Sequence, residues 1–530
     1  MVATSGGALM RRAARAALAV TLLALVACGG PQRSAPPSGS SDVPPNEVYG
    51  VDIPAGRVDA AIGRVDGLVD ELMTRSGIPG MAVAVVHDGK VAYTKGFGVK
   101  DVRTGAKVDA DTVFQLASLS KPVGATVVAH EVTANVVDWD TPVSAKLPWF
   151  ELSDPYVTHT VTIADLYSHR SGLPDHAGDR LEDLGYDQRQ ILQRLKNLAL
   201  APFRITYEYT NFGLTAAAEA VAAAASKPWD ELSDDVLYRP LGMTSTSSRF
   251  ADYQARPNRA VGHVKTPTGY QPLYTRDADA QSPAGGVSSS INDMARWLAM
   301  VLGNGTYNGV RIASPEAVLP IITPQVIAVP SADPKARASF YGHGFNVSVT
   351  SSGRTEYSHS GAFALGAATA FAVLPSENVG LIALTNAAPI GVPETLAAEF
   401  MDLVQYGEIR EDWSKLYQQA LAPLNKPEGT LVGKQAPANP APARPLDTYA
   451  GEYANPYWGP AKISQANGAL QLSIGPRGDS FPLTHWDGDT FTFTLQDENA
   501  PPGTISKATF GSNTLTLEYF DQDKLGQFTR

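Results

Sequence analysis

Ser118 and Lys121 stand three residues apart in FQLASLSKPV, residues 114–123. Side chains at that spacing share one face of a helix, so a hydroxyl sits beside an amine that would deprotonate it. Serine needs such help, because its hydroxyl stays protonated at neutral pH. Lysine gives it only where burial and nearby positive charge lower its pKa. The chemistry would be acyl transfer. The same spacing occurs on any solvated helix, and a chain this long holds about one or two such pairs by chance. Here Ser118-x-x-Lys121 is the only one. The apolar run TVFQLA leads into the serine, and a helix opening there would turn backbone N–H groups toward developing negative charge.

Two further segments carry candidate groups. YEYTNFGL sets Tyr209 and Asn211 two apart before an alanine-rich helix, and YSHSGAFALG sets His359 and Gly361 on a strand edge ahead of small residues. Each also has a plain structural use: a core tyrosine, a helix cap, an edge-strand histidine. No G-x-S-x-G and no H-E-x-x-H occurs, and there is one cysteine. A nucleophile elbow, a disulfide and thiol catalysis are therefore unsupported, and no metal or organic cofactor is implied. His169 and His176 read as turn residues.

The elements that must position these groups are legible in outline. Residues 56–75 have helical apolar spacing. MAVAVVHDGKVAYTKGFG reads as a hairpin turning at Asp88-Gly89. Residues 114–340 are mostly helical, with capping boxes at TIAD (162–165) and SIND (290–293). Strands return in GHGFNVSV, TEYSHSG, GAATAFAVL and VGLIALTN, the last two joined by a turn at Pro375–Asn378, and a helix follows from about Pro393 to Leu424. If the first and last strands share a sheet, the fold is α/β: an antiparallel sheet flanked by helices, with a helical lobe inserted and a site in the cleft. Residues 446–530 alternate apolar and polar in short runs, a separate all-β module. Its Trp458, Trp486, Tyr453 and Tyr457 read as barrel core rather than as a pocket.

The chain has 530 residues and a formal net charge of −11. With no basic run after the first fifteen residues it is a poor partner for nucleic acid. Arg11, Arg12 and Arg15, the apolar AALAVTLLALVA and the stop at LVACGG describe an export signal, with Met10 as an alternative start. LVAC resembles the lipobox of bacterial lipoproteins, in which the cysteine is lipidated. The expectation is a signal peptide over 1–28 with Cys28 lipidated, and a flexible tether over 29–50. A main domain over 51–424, a Pro/Ala-rich linker over 425–445 and a small β domain over 446–530 follow. The protein is then exported and held to a bacterial membrane by its lipid, facing the periplasm or the exterior.

Ser-x-x-Lys, then Tyr-x-Asn, then His-x-Gly is similar to the motif set of the class C β-lactamase and penicillin-binding-protein superfamily, which includes D-alanyl-D-alanine carboxypeptidases, D-amino-acid amidases and family VIII esterases. LYSHRSGLP, LYRPLGMTST, SPAGGVSSSINDMARW and LPSENVGLIALTN resemble its connecting segments, over roughly residues 56–424, and YAGEYANPYWGP resembles an appended lipocalin-like β domain. The resemblance implies that Ser118 is acylated and that Lys121 takes or relays its proton. It implies that Tyr209 passes a proton to the leaving group, that Asn211 binds substrate and Lys121, and that the His359–Gly361 strand docks substrate. The oxyanion hole would be the N–H groups of Ser118 and Ala362. Many relatives carry lysine where this chain has His359. Histidine is largely neutral at pH 7, so the pull on a substrate carboxylate weakens. Lys121 becomes the base and Tyr209 the relay. An ester, amide or D-amino peptide then ranks as substrate above a β-lactam. A penicillin-binding DD-peptidase or β-lactamase is the alternative, and an inactive scaffold or binding lipoprotein a third.

Overall fold

The structure, a computed structural model, describes residues 43–530 apart from Asn467. The signal peptide, Met10, Cys28 and most of the tether fall outside the described residues. Residues 43–48 belong to a small unit of their own, with a 3-10 turn at Pro45–Glu47. The folded body is residues 49–530.

Among the described residues, eight antiparallel strands make the main sheet. Their order is Lys90–Gly98, Gly80–His87, Val379–Thr385, Ala367–Leu374, Thr355–Phe363, Asn346–Val349, Ser339–Tyr341 and Val326–Val329. The early and late strands pair directly, Met81 opposite Thr385, so the helical segment between them is an insertion. The hairpin turns where expected: Asp88 (φ 51°) and Gly89 (φ 69°) both take the left-handed conformation that a two-residue turn needs. Ala367–Leu374 and Val379–Thr385 are buried at every position. Both faces of the sheet are covered, and an all-apolar strand is the sequence consequence. Helices Val65–Ser76 and Val392–Tyr406 pack one face with Phe400, Leu396 and Val69. Helix Ile291–Leu302 and the inserted lobe pack the other.

Several boundaries differ from the sequence reading. The helix over 56–75 is two, Arg57–Ile62 and Val65–Ser76, divided at Gly63. The one placed at 393–424 is also two, because Gly407 (φ 78°) ends Val392–Tyr406 and a second helix runs Trp413–Leu421. The box at Thr162 closes reciprocally with Asp165. At Ser290 only half forms: the Asp293 carboxylate turns away to accept from Ser245 N–H at 2.7 Å and the Thr246 hydroxyl at 3.0 Å. The His359 strand is interior rather than at the sheet edge. Its pairing to Asn346–Val349 stops at Ser358, so Ser360–Phe363 keep a strand neighbour on one side only.

The C-terminal module is an up-and-down sheet of eight strands in sequence order, from Gly451–Tyr453 to Gln527–Thr529. Mutual hydrogen bonds between Ala454 and Thr529, 2.7 and 3.0 Å, bring its first and last strands together as a barrel. Tyr453, Tyr457 and Trp458 are buried within it. Trp486 is not: it sits at a register irregularity between His485 and Asp487 and is half-buried.

Candidate active site

Ser118 lies in a 3-10 turn, Ala117–Leu119, that runs into the buried helix Ser120–Thr133. The lead-in Val113–Gln115 pairs with Ser288–Ser290, which ties the turn to the lobe. Ala117 holds φ 48°, a left-handed conformation that costs a residue with a Cβ about 1–2 kcal/mol. Ser120 offsets that cost. Its hydroxyl donates to the Ala117 carbonyl at 2.7 Å and accepts from Val287 N–H at 3.0 Å, so the turn is clamped from below.

One helical turn on, Lys121 is fully buried. Its Nζ is 3.0 Å from Ser118 Oγ, 2.6 Å from Asn211 Oδ1 and 3.0 Å from the Ala284 carbonyl oxygen. Burial lowers its pKa to about 7, against an upward pull from Asp179. A neutral amine has two N–H bonds and one lone pair. With Asn211 Oδ1 and Ala284 O accepting the N–H bonds, the lone pair is left for Ser118.

Tyr209 donates its hydroxyl to Ser118 Oγ at 2.8 Å, and its ring lies 4.6 Å from Lys121 Nζ. Burial holds its pKa far above the ordinary phenol value, so it is a proton donor rather than a phenolate. His169 packs on the Tyr209 ring at 4.6 Å and accepts from Thr210 N–H through Nδ1. Burial drives its pKa well down, Lys121 adding to the effect. Asn211 opens the helix Asn211–Ala225. Its Nδ2 donates to Asp179 Oδ2 at 2.8 Å, and that oxygen also lies 2.7 Å from His176 Nδ1. The amide is therefore oriented, its oxygen on the lysine and its nitrogen on the carboxylate.

The third segment faces the serine turn from the sheet. A Cβ on Gly361 would lie 2.5 Å from the Leu116 carbonyl and 3.0 Å from Ser118 N, so only glycine allows the strand this close. Ala362 pairs with Ala368 and follows directly. His359 has both ring nitrogens engaged away from the serine. It is buried, Nε2 2.9 Å from the Tyr341 hydroxyl and Nδ1 2.7 Å from the Ser360 carbonyl. Burial, with Lys121 nearby, lowers its pKa to about 3. The ring is neutral: Nδ1–H donates to Ser360 O and Nε2 accepts from Tyr341. Within the strand that the sequence reading assigns to substrate docking, the His359 ring itself serves as a brace.

Several neighbours were not singled out from sequence. Asp179 and Tyr341 carry no local motif, and His176, a turn residue as expected (φ 57°), also fixes Asp179. The barrel reaches the site too. Glu498 accepts from the backbone N–H of Ala364 at 2.8 Å and Leu365 at 3.2 Å. Asn499 donates to Asp183 at 2.7 Å, and the Tyr457 hydroxyl accepts from Gly178 N–H at 3.0 Å, beside Asp179. Arg276 stacks on Phe363 at 5.3 Å and is paired with Glu182.

A hydroxyl and a buried amine from one chain segment and a phenol from a second thus converge, with a close-packed glycine strand from a third opposite. A family model described as Beta-lactamase matches residues 65–406, and a domain of unknown function, DUF3471, matches 435–529. The chain is 28% identical to Unguisins hydrolase ungD' of Aspergillus campestris, over 74% of this chain and 75% of that one. It is 30% identical to Penicillin-binding protein 4 of Amycolatopsis lactamdurans, over 60% of this chain and 83% of that one. Among solved structures, the octameric penicillin-binding protein homologue from Pyrococcus abyssi superposes with a TM-score of 0.57 at 18% identity, covering 88% of this chain and all of that one. With this fold, these converging groups and a family match over more than half its length, the chain belongs to the β-lactamase family and is a serine hydrolase.

Proposed function

We propose that the protein hydrolyses an ester, an amide or a D-amino peptide through an acyl-enzyme on Ser118. Ser118 Oγ attacks the carbonyl carbon as its proton passes to Lys121 Nζ. The N–H groups of Ser118 and Ala362 hold the resulting oxyanion, each such donor being worth about 3–4 kcal/mol. Tyr209 gives its proton to the leaving group, and the phenolate so formed is reprotonated by the Lys121 ammonium beside its ring. Water then attacks the acyl carbon along the reverse path, and Ser118 is restored. The observation that carries this reading is the hydrogen-bond set of Lys121, which leaves its lone pair for one partner, Ser118.

His359 favours less charged substrates over β-lactams. A neutral ring braced between Tyr341 and Ser360 offers no positive charge to a substrate carboxylate. A penicillin-binding DD-peptidase is the second reading, and the similarity to Penicillin-binding protein 4 supports the penicillin-binding part of it. In either case we assign the enzyme to the outside of the cytoplasmic membrane, tethered through a lipid on Cys28. The signal-like N-terminus and the lone cysteine support that placement. Turnover of p-nitrophenyl butyrate by the wild type, lost in Ser118→Ala, is the expected result. Undiminished turnover in a folded Ser118→Ala variant removes the assignment. Labelled penicillin forming a stable adduct on Ser118 would favour the DD-peptidase.

A further inference from the structure

Behind the strand that faces Ser118, on the opposite side of the sheet, lies a cavity of about 280 Å³. Its walls are the Thr355–Phe363 strand, the helix Val392–Tyr406 and the short helix Trp413–Leu421 laid across it. Three carboxyl side chains line it, Glu356, Glu394 and Asp402, and no lysine or arginine does. Asp402 is already engaged, accepting from Trp413 Nε1 at 2.7 Å and Arg410 N–H at 2.8 Å. Glu394 is only half engaged. One oxygen accepts from the Ser360 hydroxyl; the other has no partner, although the residue is 7% exposed. An unpaired buried carboxylate oxygen is costly, and this one borders empty space.

From this geometry we infer that the cavity is a binding site for a small organic ammonium compound, an aliphatic diamine being the class that fits. Among the described residues, no three acidic or imidazole side chains come close enough together to share one metal ion. A cation with length and more than one N–H donor can reach carboxylates that stand apart in this way. Trp413 and Tyr417 border the same space, and an aromatic face attracts an alkylammonium group. At about 280 Å³ the cavity is near the lower end of small-molecule pockets, which suits a short chain.

The site is coupled by covalent proximity to the catalytic strand. Ser360, which donates to Glu394, immediately precedes Gly361 and carries the carbonyl that braces His359. The titratable groups that line the cavity with Glu394 are Glu356 and His359 from the strand, the histidine held neutral between Tyr341 and Ser360, Asp402 from its own helix and Tyr417 from the short helix. Burial raises Glu394 and Glu356 to about 7, Asp402 adding to the rise at Glu356. Both are charged above that pH and neutral below it, so a dication should bind better in mild alkali than in mild acid.

Calorimetric titration with 1,4-diaminobutane tests this. Wild type should bind at pH 8.5, at least tenfold more weakly at pH 5.5, and should not bind 1,4-butanediol. Glu394→Gln, isosteric and still able to accept from Ser360, should weaken binding at least tenfold, and Glu356→Gln serves the same purpose if the first variant does not fold. The exposed Glu408→Gln is the control and should bind as wild type does. No binding at pH 8.5, equal binding of the diol, magnesium ion binding in its place, or a Gln variant that binds as tightly as wild type each overturns the proposal. The test is independent of whether Ser118 is the nucleophile.

Discussion

Glu498, in the C-terminal barrel, accepts a hydrogen bond from the backbone N–H of Ala364, two residues beyond Ala362 in the strand that faces Ser118. A domain 134 residues further along the chain thus holds the loop that ends this strand. The same carboxylate takes the next N–H, Leu365, and lies near the Arg276 guanidinium, which is itself stacked on Phe363.

Removing that carboxylate should loosen the oxyanion side of the site. A hydrogen bond to a charged group contributes about 1.5–3 kcal/mol, and displacement of a donor by a fraction of an ångström is felt in kcat. Glu498→Ala is expected to lower kcat about tenfold with a smaller change in KM. Glu498→Gln, whose amide oxygen still accepts, should recover most of the loss. Equal, wild-type kcat in both variants would show that the barrel does not position the strand.

The carboxyls buried around the barrel should also make the fold as a whole less stable as pH rises. Burial raises Glu182 and Glu498 to about 7, and raises Asp497 to about 8 with help from Asp183. These groups hold more protons folded than unfolded, so stability falls as pH climbs from the ordinary carboxylate range through 7 to 8 and then levels off. Denaturant midpoints should be higher at pH 5.5 than at pH 8.5. Asp497→Asn should flatten the slope, and a midpoint that rises over this interval would contradict the sign.

Lys121 sets the opposite trend in rate. Its pKa lies at about 7 through burial, and the base form is the unprotonated amine. Hydrolysis of an ester without ionisable groups should therefore rise with pH between about 6 and 8, with its midpoint near 7. Tyr209, held protonated by burial, adds no descending limb in this range. A profile flat from pH 6 to 8 would mean that some other group limits the reaction.

The serine centre was legible in the sequence because its parts are local motifs. Ser118 and Lys121 are a helical turn apart, Tyr209 and Asn211 flank a helix start, and Gly361 precedes small residues on a strand. What supports them was not legible. Asp179 reaches Asn211 across 32 residues and Glu498 reaches Ala364 across 134, and a lone carboxylate in a loop carries no spacing that announces its partner. Tyr457 shows the same limit from the other side. Its burial in the barrel was predictable from alternation, but its hydroxyl accepting from Gly178 N–H, 279 residues away, is a product of docking.

His359 gives the sharpest test of how far the family resemblance transfers. If the family pattern of lysine at this place carried over, His359→Lys would supply a cation for a carboxylate substrate. The local structure argues otherwise. The ring fills a buried site between the Tyr341 hydroxyl and the Ser360 carbonyl, and burial together with Lys121 already keeps it neutral. A second ammonium placed there would be desolvated and repelled by the first, and Lys121 would be driven lower still. His359→Lys is expected to lower the melting temperature by several degrees and to shift the alkaline rise in activity to lower pH, without a gain in cephalosporin hydrolysis. His359→Gln, neutral and able to accept from Tyr341, should remain closer to wild type in both stability and profile. A stable His359→Lys enzyme that gains β-lactam turnover would mean that the histidine side chain can turn out toward the cleft.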